Sequence, residues 1–276
     1  MSWQAVVLAL DDGELLRSRV SVYQHPLAGR PVLWHVLSAL GDVAPPPERI
    51  TVLHRAGLAL GAGEGWPAVT FTASEPGDNA RTLGALLASA GTQVIVDGAA
   101  PLLSAATLAR LLRAGESGVA TLTSGREPAG RIAIAGQGAL LAAAEDERAP
   151  AGATRVDAAT AAELLRVSDR HTLADAAVAT RDRLVRDLET AGVSFLLPST
   201  SWVDVGVRIG ADTVIYPGAV LEGATVIGGE CVIGPHSRIV ESSIGRGVEL
   251  RGWNYVTRTS VRNHAVLEPY ERRGVD

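Results

Sequence analysis

Between Val203 and Tyr270 an apolar residue recurs every six positions: Val203, Ile209, Ile215, Leu221, Ile227, Ile233 and Ile239. The rhythm shortens to five at Ile244, resumes at Leu250 and Val256, shortens again at Val261 and reaches Leu267. Four places after most of these stands a small residue: Thr213, Ala219, Thr225, Cys231 and Ser237. Glycines fall between, at Gly210, Gly218, Gly223, Gly228, Gly229 and Gly234. A helix repeats near 3.6 residues and a strand at 2, so a period of six fits neither. It fits a hexapeptide β-helix, in which each hexad supplies one short strand and one corner of a coil. The large apolar residue points inward and the small one fits beside the corner. Glycine takes the backbone angles that other residues avoid.

The rest of the composition narrows the function. A chain of 276 residues is long enough for two modest domains. A net charge of −5 with mixed signs argues against a nucleic-acid surface. The single cysteine, Cys231, sits at a small-residue corner, which predicts a buried small hydrophobe and no disulfide within the chain. A reducing compartment follows. The apolar run Ala5 to Leu10 is too short to span a membrane and lacks the basic flank of a signal peptide. The expectation is a cytoplasmic protein with no membrane or nucleic-acid partner.

In chain order, Ala5 to Leu10 reads as a buried strand, Asp11-Asp12-Gly13 as a turn and Pro31 to Leu40 as a helix. Strands are predicted at Arg49 to His54, Ala68 to Ala73, Gln93 to Asp97, Val119 to Thr123 and Arg131 to Ile134, and helices at Thr82 to Ala90 and Ser104 to Ala114. Such alternation implies a mostly parallel sheet with helices on both faces. Ligands of such sheets bind beyond the carboxyl ends of the strands, which points to the loops after Leu10, Ala73 and Asp97. The signal weakens from Ala135 to Asp169. A helix from Thr172 to Ala191 then places Leu173, Ala177, Leu184 and Leu188 on one face and closes at Gly192. Its charges Arg181, Arg183, Arg186 and Asp187 read as a solvated face. This helix connects an α/β domain at residues 1–170 to a β-helix at 192–276.

The repeat sequence Val214-Ile-Tyr-Pro-Gly-Ala-Val-Leu-Glu-Gly, with Thr225-Val-Ile-Gly and Cys231-Val-Ile-Gly-Pro-His-Ser-Arg-Ile, resembles a known bacterial family. That family is the bifunctional N-acetylglucosamine-1-phosphate uridyltransferase/glucosamine-1-phosphate acetyltransferase. Val167-Ser-Asp-Arg, Ala191-Gly-Val and His25-Pro-Leu-Ala-Gly-Arg-Pro extend the likeness over nearly the whole chain. The resemblance implies a Rossmann-like nucleotidyltransferase domain followed by a short left-handed parallel β-helix, and a habit of trimerising through the latter.

The family's site residues carry over poorly. Its Ala-Gly-x-Gly-Thr-Arg phosphate loop falls on Leu10 to Leu15, so the first glycine is Asp11 and the arginine is Leu15. The lysine position holds Val22. Acidic side chains where a triphosphate lies are electrostatically backward, since anion sites use N–H groups or cations. The two Mg²⁺-ligand positions read Ala99 and Ser168, and neither side chain carries the charged oxygen that a hard cation requires. The neighbouring Asp97 lies on the strand, where its side chain is expected to point elsewhere. Arg81, in the uracil-contacting loop, reads as solvated. Ala9, Gly13, Thr82, Gly98, Gly130 and Glu145 remain as residual nucleotide- or sugar-binding positions. His236 and His264 read as corner residues. The chain stops near where the family's acetyl-acceptor site begins, so no acetyl transfer is expected.

These readings predict a catalytically degenerate sugar-nucleotidyltransferase homologue. It would act as an assembly or regulatory partner, or as a nucleotide-sugar sensor, without metal or cofactor and as a homo-oligomer. The alternative is an active nucleotidyltransferase with an altered site, using Mg²⁺. Leu15 and Val22 are expected to pack over the vacated pocket.

Overall fold

The computed structural model of the chain describes residues 2–11, 14–61, 63, 66–88, 91–124, 127–128, 133–137 and 152–274. Its contacts divide the chain into two units, Met1–His25 with Pro31–Ala176, and Pro26–Arg30 with Ala177–Asp276.

The first unit is built on a sheet of strands β1 (Trp3–Ala9), β2 (Arg49–Arg55), β3 (Thr70–Ser74), β4 (Thr92–Asp97), β5 (Ala120–Ser124), β6 (Ala133–Gln137) and β7 (Thr154–Asp157). Their order is β7-β5-β6-β4-β1-β2-β3, and a two-residue strand at Glu127–Pro128 pairs with β5. β1 lies parallel to both β2 and β4, while β6 runs antiparallel to β4 and β5. Helix α1 (Val32–Gly41) buries Leu33, Val36, Leu37 and Leu40. Helix α2 (Asn79–Leu87) brings Leu83, Leu86 and Leu87 against Val6, Leu53, Ile95 and Ile134. Helix α3 (Ala105–Gly115) starts at Ser104, whose hydroxyl accepts from the Thr107 N–H. β1 is covered on both faces, which is why it reads as an unbroken apolar run. β2 and β4 leave β1 in opposite directions, so the strand order reverses at β1/β4. That reversal opens a crevice at the strands' carboxyl ends.

Helix α4 (Arg170–Thr190) begins two residues earlier than the sequence suggests. The hydroxyl of Thr172 accepts from the Ser168 and Asp169 N–H groups, and the Asp169 carboxylate accepts the Thr172 N–H. These capping bonds hold the Asp169 carboxyl below its ordinary range. The buried positions of α4 are Ala176, Thr180 and Val185, and of the predicted stripe Leu188 packs half-buried against the coil core. Arg181 is not solvated. Its side chain is 14% exposed, bonded to Asp182 and to the Ser199 carbonyl, because the turn at Pro198–Thr200 lies over it. Gly192 follows the helix with a φ of +95°, as a left-handed terminus requires.

The second unit is a left-handed parallel β-helix made of three ladders of two- and three-residue strands. In one ladder Phe195, Ile215, Ile233, Leu250 and Leu267 lie in register; in another, Val203, Leu221, Ile239 and Val256; in the third, Ile209, Ile227, Ile244 and Val261. Their side chains make one continuous core. The small residues Thr213, Ala219, Thr225, Cys231 and Ser237 are all fully buried. One corner column, Gly218, His236, Trp253 and Tyr270, has left-handed backbone throughout. Glycine is required at its first position, because a Cβ on Gly218 would lie 2.3 Å from the His236 ring. His236, Trp253 and Tyr270 stack ring on ring, with centroids 5.5 and 5.6 Å apart. His264 occupies another corner in the same conformation. At the first coil, the Val205 N–H donates to the Ala28 carbonyl, so the Pro26–Arg30 turn belongs to this unit.

Candidate functional site

β1 and β4 end side by side, and each delivers a carboxylate into the crevice. Asp11 follows β1 and Asp97 closes β4. Between them lies Arg166, whose Nε donates to Asp97 Oδ2 and whose Nη2 donates to Asp11 Oδ2, both at 2.6 Å. The second Asp97 oxygen accepts the Ala99 N–H at 2.8 Å. The backbone carrying Arg166 is pinned to the loop after β4, since the Val167 N–H donates to the Ala99 carbonyl at 2.8 Å. Tyr23 completes the wall, its hydroxyl oxygen accepting the Asp11 N–H at 2.9 Å. Burial, together with the Asp97 and Asp11 charges, raises the Tyr23 phenol and keeps it neutral. Burial pulls the Arg166 guanidinium down, but the two carboxylates more than offset it. The remaining space, lined by Leu8, Leu10, Asp11, Tyr23, Asp97 and Arg166, is about 140 Å³. Ordinary small-molecule sites run to roughly 300–1,000 Å³.

The structure gathers some of the sequence-predicted positions and scatters others. Asp11 and Ala99 meet at the crevice, and Ser168 follows the Val167 bonded to Ala99. Asp97 corrects an expectation: the side chain turns into the crevice, because the Ala99 N–H and the Arg166 guanidinium both draw it there. Leu15 and Val22 do not close the pocket together. Val22 is fully buried, but the short turn Glu14–Leu16 sends Leu16 inward and leaves Leu15 71% exposed. Ala9 is a buried strand residue. Gly98 donates its N–H to the Leu8 carbonyl, and a Cβ there would meet Leu8, Leu33 and Val7 within 3.2 Å. The Thr82 hydroxyl donates to the Asp78 carbonyl at the start of its own helix and accepts from the Ser74 hydroxyl at the end of β3. Arg81 is exposed and paired with Asp78. Asp12, Gly13, Gly130 and Glu145 lie outside the described residues.

Sequence reasoning missed Arg166 and Tyr23. The available signal was a lone arginine directly before Val167-Ser-Asp-Arg, after the apolar pair Leu164-Leu165. The Mg²⁺ that the resemblance implies does not fit the described residues. Ala99 offers a fully buried methyl group, and the Asp11 and Asp97 carboxylates already hold a guanidinium. Among the described residues no three His, Cys, Asp or Glu side chains gather as a metal site.

The bacterial transferase hexapeptide family, six repeats, matches residues 206–241. A nucleotidyl transferase from Methanothermobacter thermautotroptrophicus superposes with a TM-score of 0.51 at 19% identity, covering 67% of this chain and 99% of that one. The fold is therefore a nucleotidyltransferase-like α/β unit joined to a hexapeptide coil. A bifunctional GlmU protein from Kineococcus radiotolerans is 30% identical over 306 residues, 88% of this chain and 62% of that protein. Another, from Geobacillus sp. (strain WCH70), is 46% identical over 89 residues, 32% of this chain and 19% of its own length. The chain is similar to bifunctional GlmU proteins over most of its own length, and it spans less than two thirds of these curated relatives.

Proposed function

We propose that this GlmU-like chain does not transfer nucleotidyl groups and acts as an assembly or regulatory partner. The observation that carries this reading is Arg166, bonded to Asp11 and Asp97 at the switch point of the sheet. Nucleotidyl transfer requires cations aimed at the developing phosphate charge. Among the described residues lining the crevice, the cation Arg166 is already neutralised, and two carboxylates stand against it. The positions that would supply further cations read Leu15 and Val22, one exposed and one in the core. Metal-independent behaviour follows from the same arrangement.

The assembly role is supported by the second unit. Leu196, Leu197, Tyr216, Trp253 and Tyr270 are 38–70% exposed along a single corner of the coil. Apolar side chains concentrated in this way mark interaction surfaces. A homo-oligomer, trimeric as the resemblance implies, is the simplest occupant. The competing reading, an active nucleotidyltransferase with an altered site, draws on the fold and on the GlmU relatives.

Pyrophosphate release with UTP, Mg²⁺ and N-acetylglucosamine-1-phosphate tests the proposal. Turnover is expected to be suppressed by about five orders of magnitude, since each lost cation contact costs roughly a hundredfold or more. Turnover on the order of one per second would overturn it.

A further inference from the structure

We infer that Arg166 is the resident cation of a two-carboxylate crevice, standing where a divalent metal ion would balance Asp11 and Asp97 and thereby setting what the crevice rejects. The inference deepens the non-catalytic reading above and rests on it. Three observations carry it. The two carboxylates come from the tips of adjacent parallel strands, so the sheet fixes their proximity. A guanidinium has a rigid fork, and here two neighbouring nitrogens each take one carboxylate oxygen at 2.6 Å. Its backbone is tied to the loop after β4 through Val167 and Ala99, so the charge is delivered by the fold rather than by a loose reach.

The charge balance then decides the ligand class. With Arg166 in place the described residues of the crevice carry two negative charges and one positive. A phosphate faces net repulsion, and a divalent cation finds its oxygen ligands engaged. Removing the guanidinium takes away the cation that bridges both carboxylates and exposes an oxygen pair suited to a hard cation. Neutralising both carboxylates leaves a bare guanidinium, which suits an inorganic phosphate. Arg166 thus excludes the metal, and the two carboxylates it bridges exclude the phosphate.

The test is Mn²⁺ binding to the full chain without nucleotide, read by electron paramagnetic resonance, on wild type, Arg166→Gln and Arg166→Gln/Asp97→Asn. Arg166→Gln should bind one Mn²⁺ at least about tenfold more tightly than wild type, and the double variant should lose that gain. Arg166→Lys should exclude Mn²⁺ as wild type does. A second arm covers the case in which Arg166→Gln fails to fold. There Asp11→Asn/Asp97→Asn should gain inorganic phosphate binding by at least about tenfold over wild type, read by calorimetry. Mn²⁺ binding by wild type that Asp97→Asn abolishes would overturn the inference. So would a folded Arg166→Gln with no gain, or a folded Asp11→Asn/Asp97→Asn that ignores phosphate. None of these readouts involves turnover, so pyrophosphate release by wild type would strike the functional reading separately.

Discussion

In the coiled unit, from Val203 onward, each inward side chain meets its neighbour 17 or 18 residues along the chain, as Ile227 meets Ile244 and Ile215 meets Ile233. In the crevice, Asp11 meets Arg166 across 155 residues. The coil repeats its solution: four or five residues share each column, and the large and small positions keep their roles from turn to turn. The crevice has one copy of each group, and the three charges depend on one another. Redundancy of this kind makes a region legible and its energetics local. A unique constellation is energetically coupled, and removing one partner changes what the others do.

The largest effect should come from the coil core. Leu221 is fully buried in register between Val203 and Ile239, so Leu221→Ala should cost about 2–5 kcal/mol. Leu267 lies at the end of its described ladder, with a single ladder neighbour in Leu250, and the same truncation there should cost roughly half as much. Urea titration with hydrogen exchange of peptides from residues 203–267 measures both. Equal costs would break the view that the column is the unit of stability.

The same contrast explains what could be read beforehand. The shortened steps at Ile244 and Val261 are the places where a coil takes 17 residues instead of 18, because Ile227 pairs with Ile244 and Ile244 with Val261. Most strand and helix identities in the first unit also followed from local apolar runs and caps, but β7 falls in the stretch where the apolar pattern fades and was not read. Arg166 did not, because nothing within a few residues of it indicates that Asp11 and Asp97 will be adjacent. Asp97 was misjudged for a related reason: strand alternation describes a side chain before a long-range partner draws on it. Leu15 was expected inward on composition alone, and the turn at Glu14–Leu16 reverses its direction.

A smaller effect sits at the corner stack. Trp253 lies between His236 and Tyr270 but is 49% exposed, so Trp253→Ala should cost about 1 kcal/mol. Its φ of +51° adds a sharper test. Glycine carries no left-handed penalty, so Trp253→Gly should cost less than Trp253→Ala, the reverse of their usual order. Thermal melts of the two variants decide it. The usual order would mean that the corner column is held by something other than backbone conformation.

The smallest effect is a pH dependence in the first coil. Asp204 is buried there, accepting from the Gly223 N–H at 2.9 Å and from the Trp202 indole N–H at 3.1 Å. Burial raises its carboxyl above the ordinary range, against the lowering effect of those two bonds, and the nearby Glu222 charge adds to the rise. The folded state therefore keeps a proton that the unfolded chain has already released. Its contribution to stability is full below the ordinary aspartate value and is lost as pH rises through the raised folded value. Glu230 works the other way, its carboxyl held low by the bond from Arg246, so raw stability profiles mix the two signs. Comparing wild type with Asp204→Asn cancels Glu230, which both proteins share. The variant should gain on wild type as pH increases across that window, with the divergence confined to exchange of peptides around residues 202–223. Parallel profiles would show that Asp204 titrates as it does in the unfolded chain, and that burial in the coil, unlike burial in the crevice, leaves its charge unperturbed.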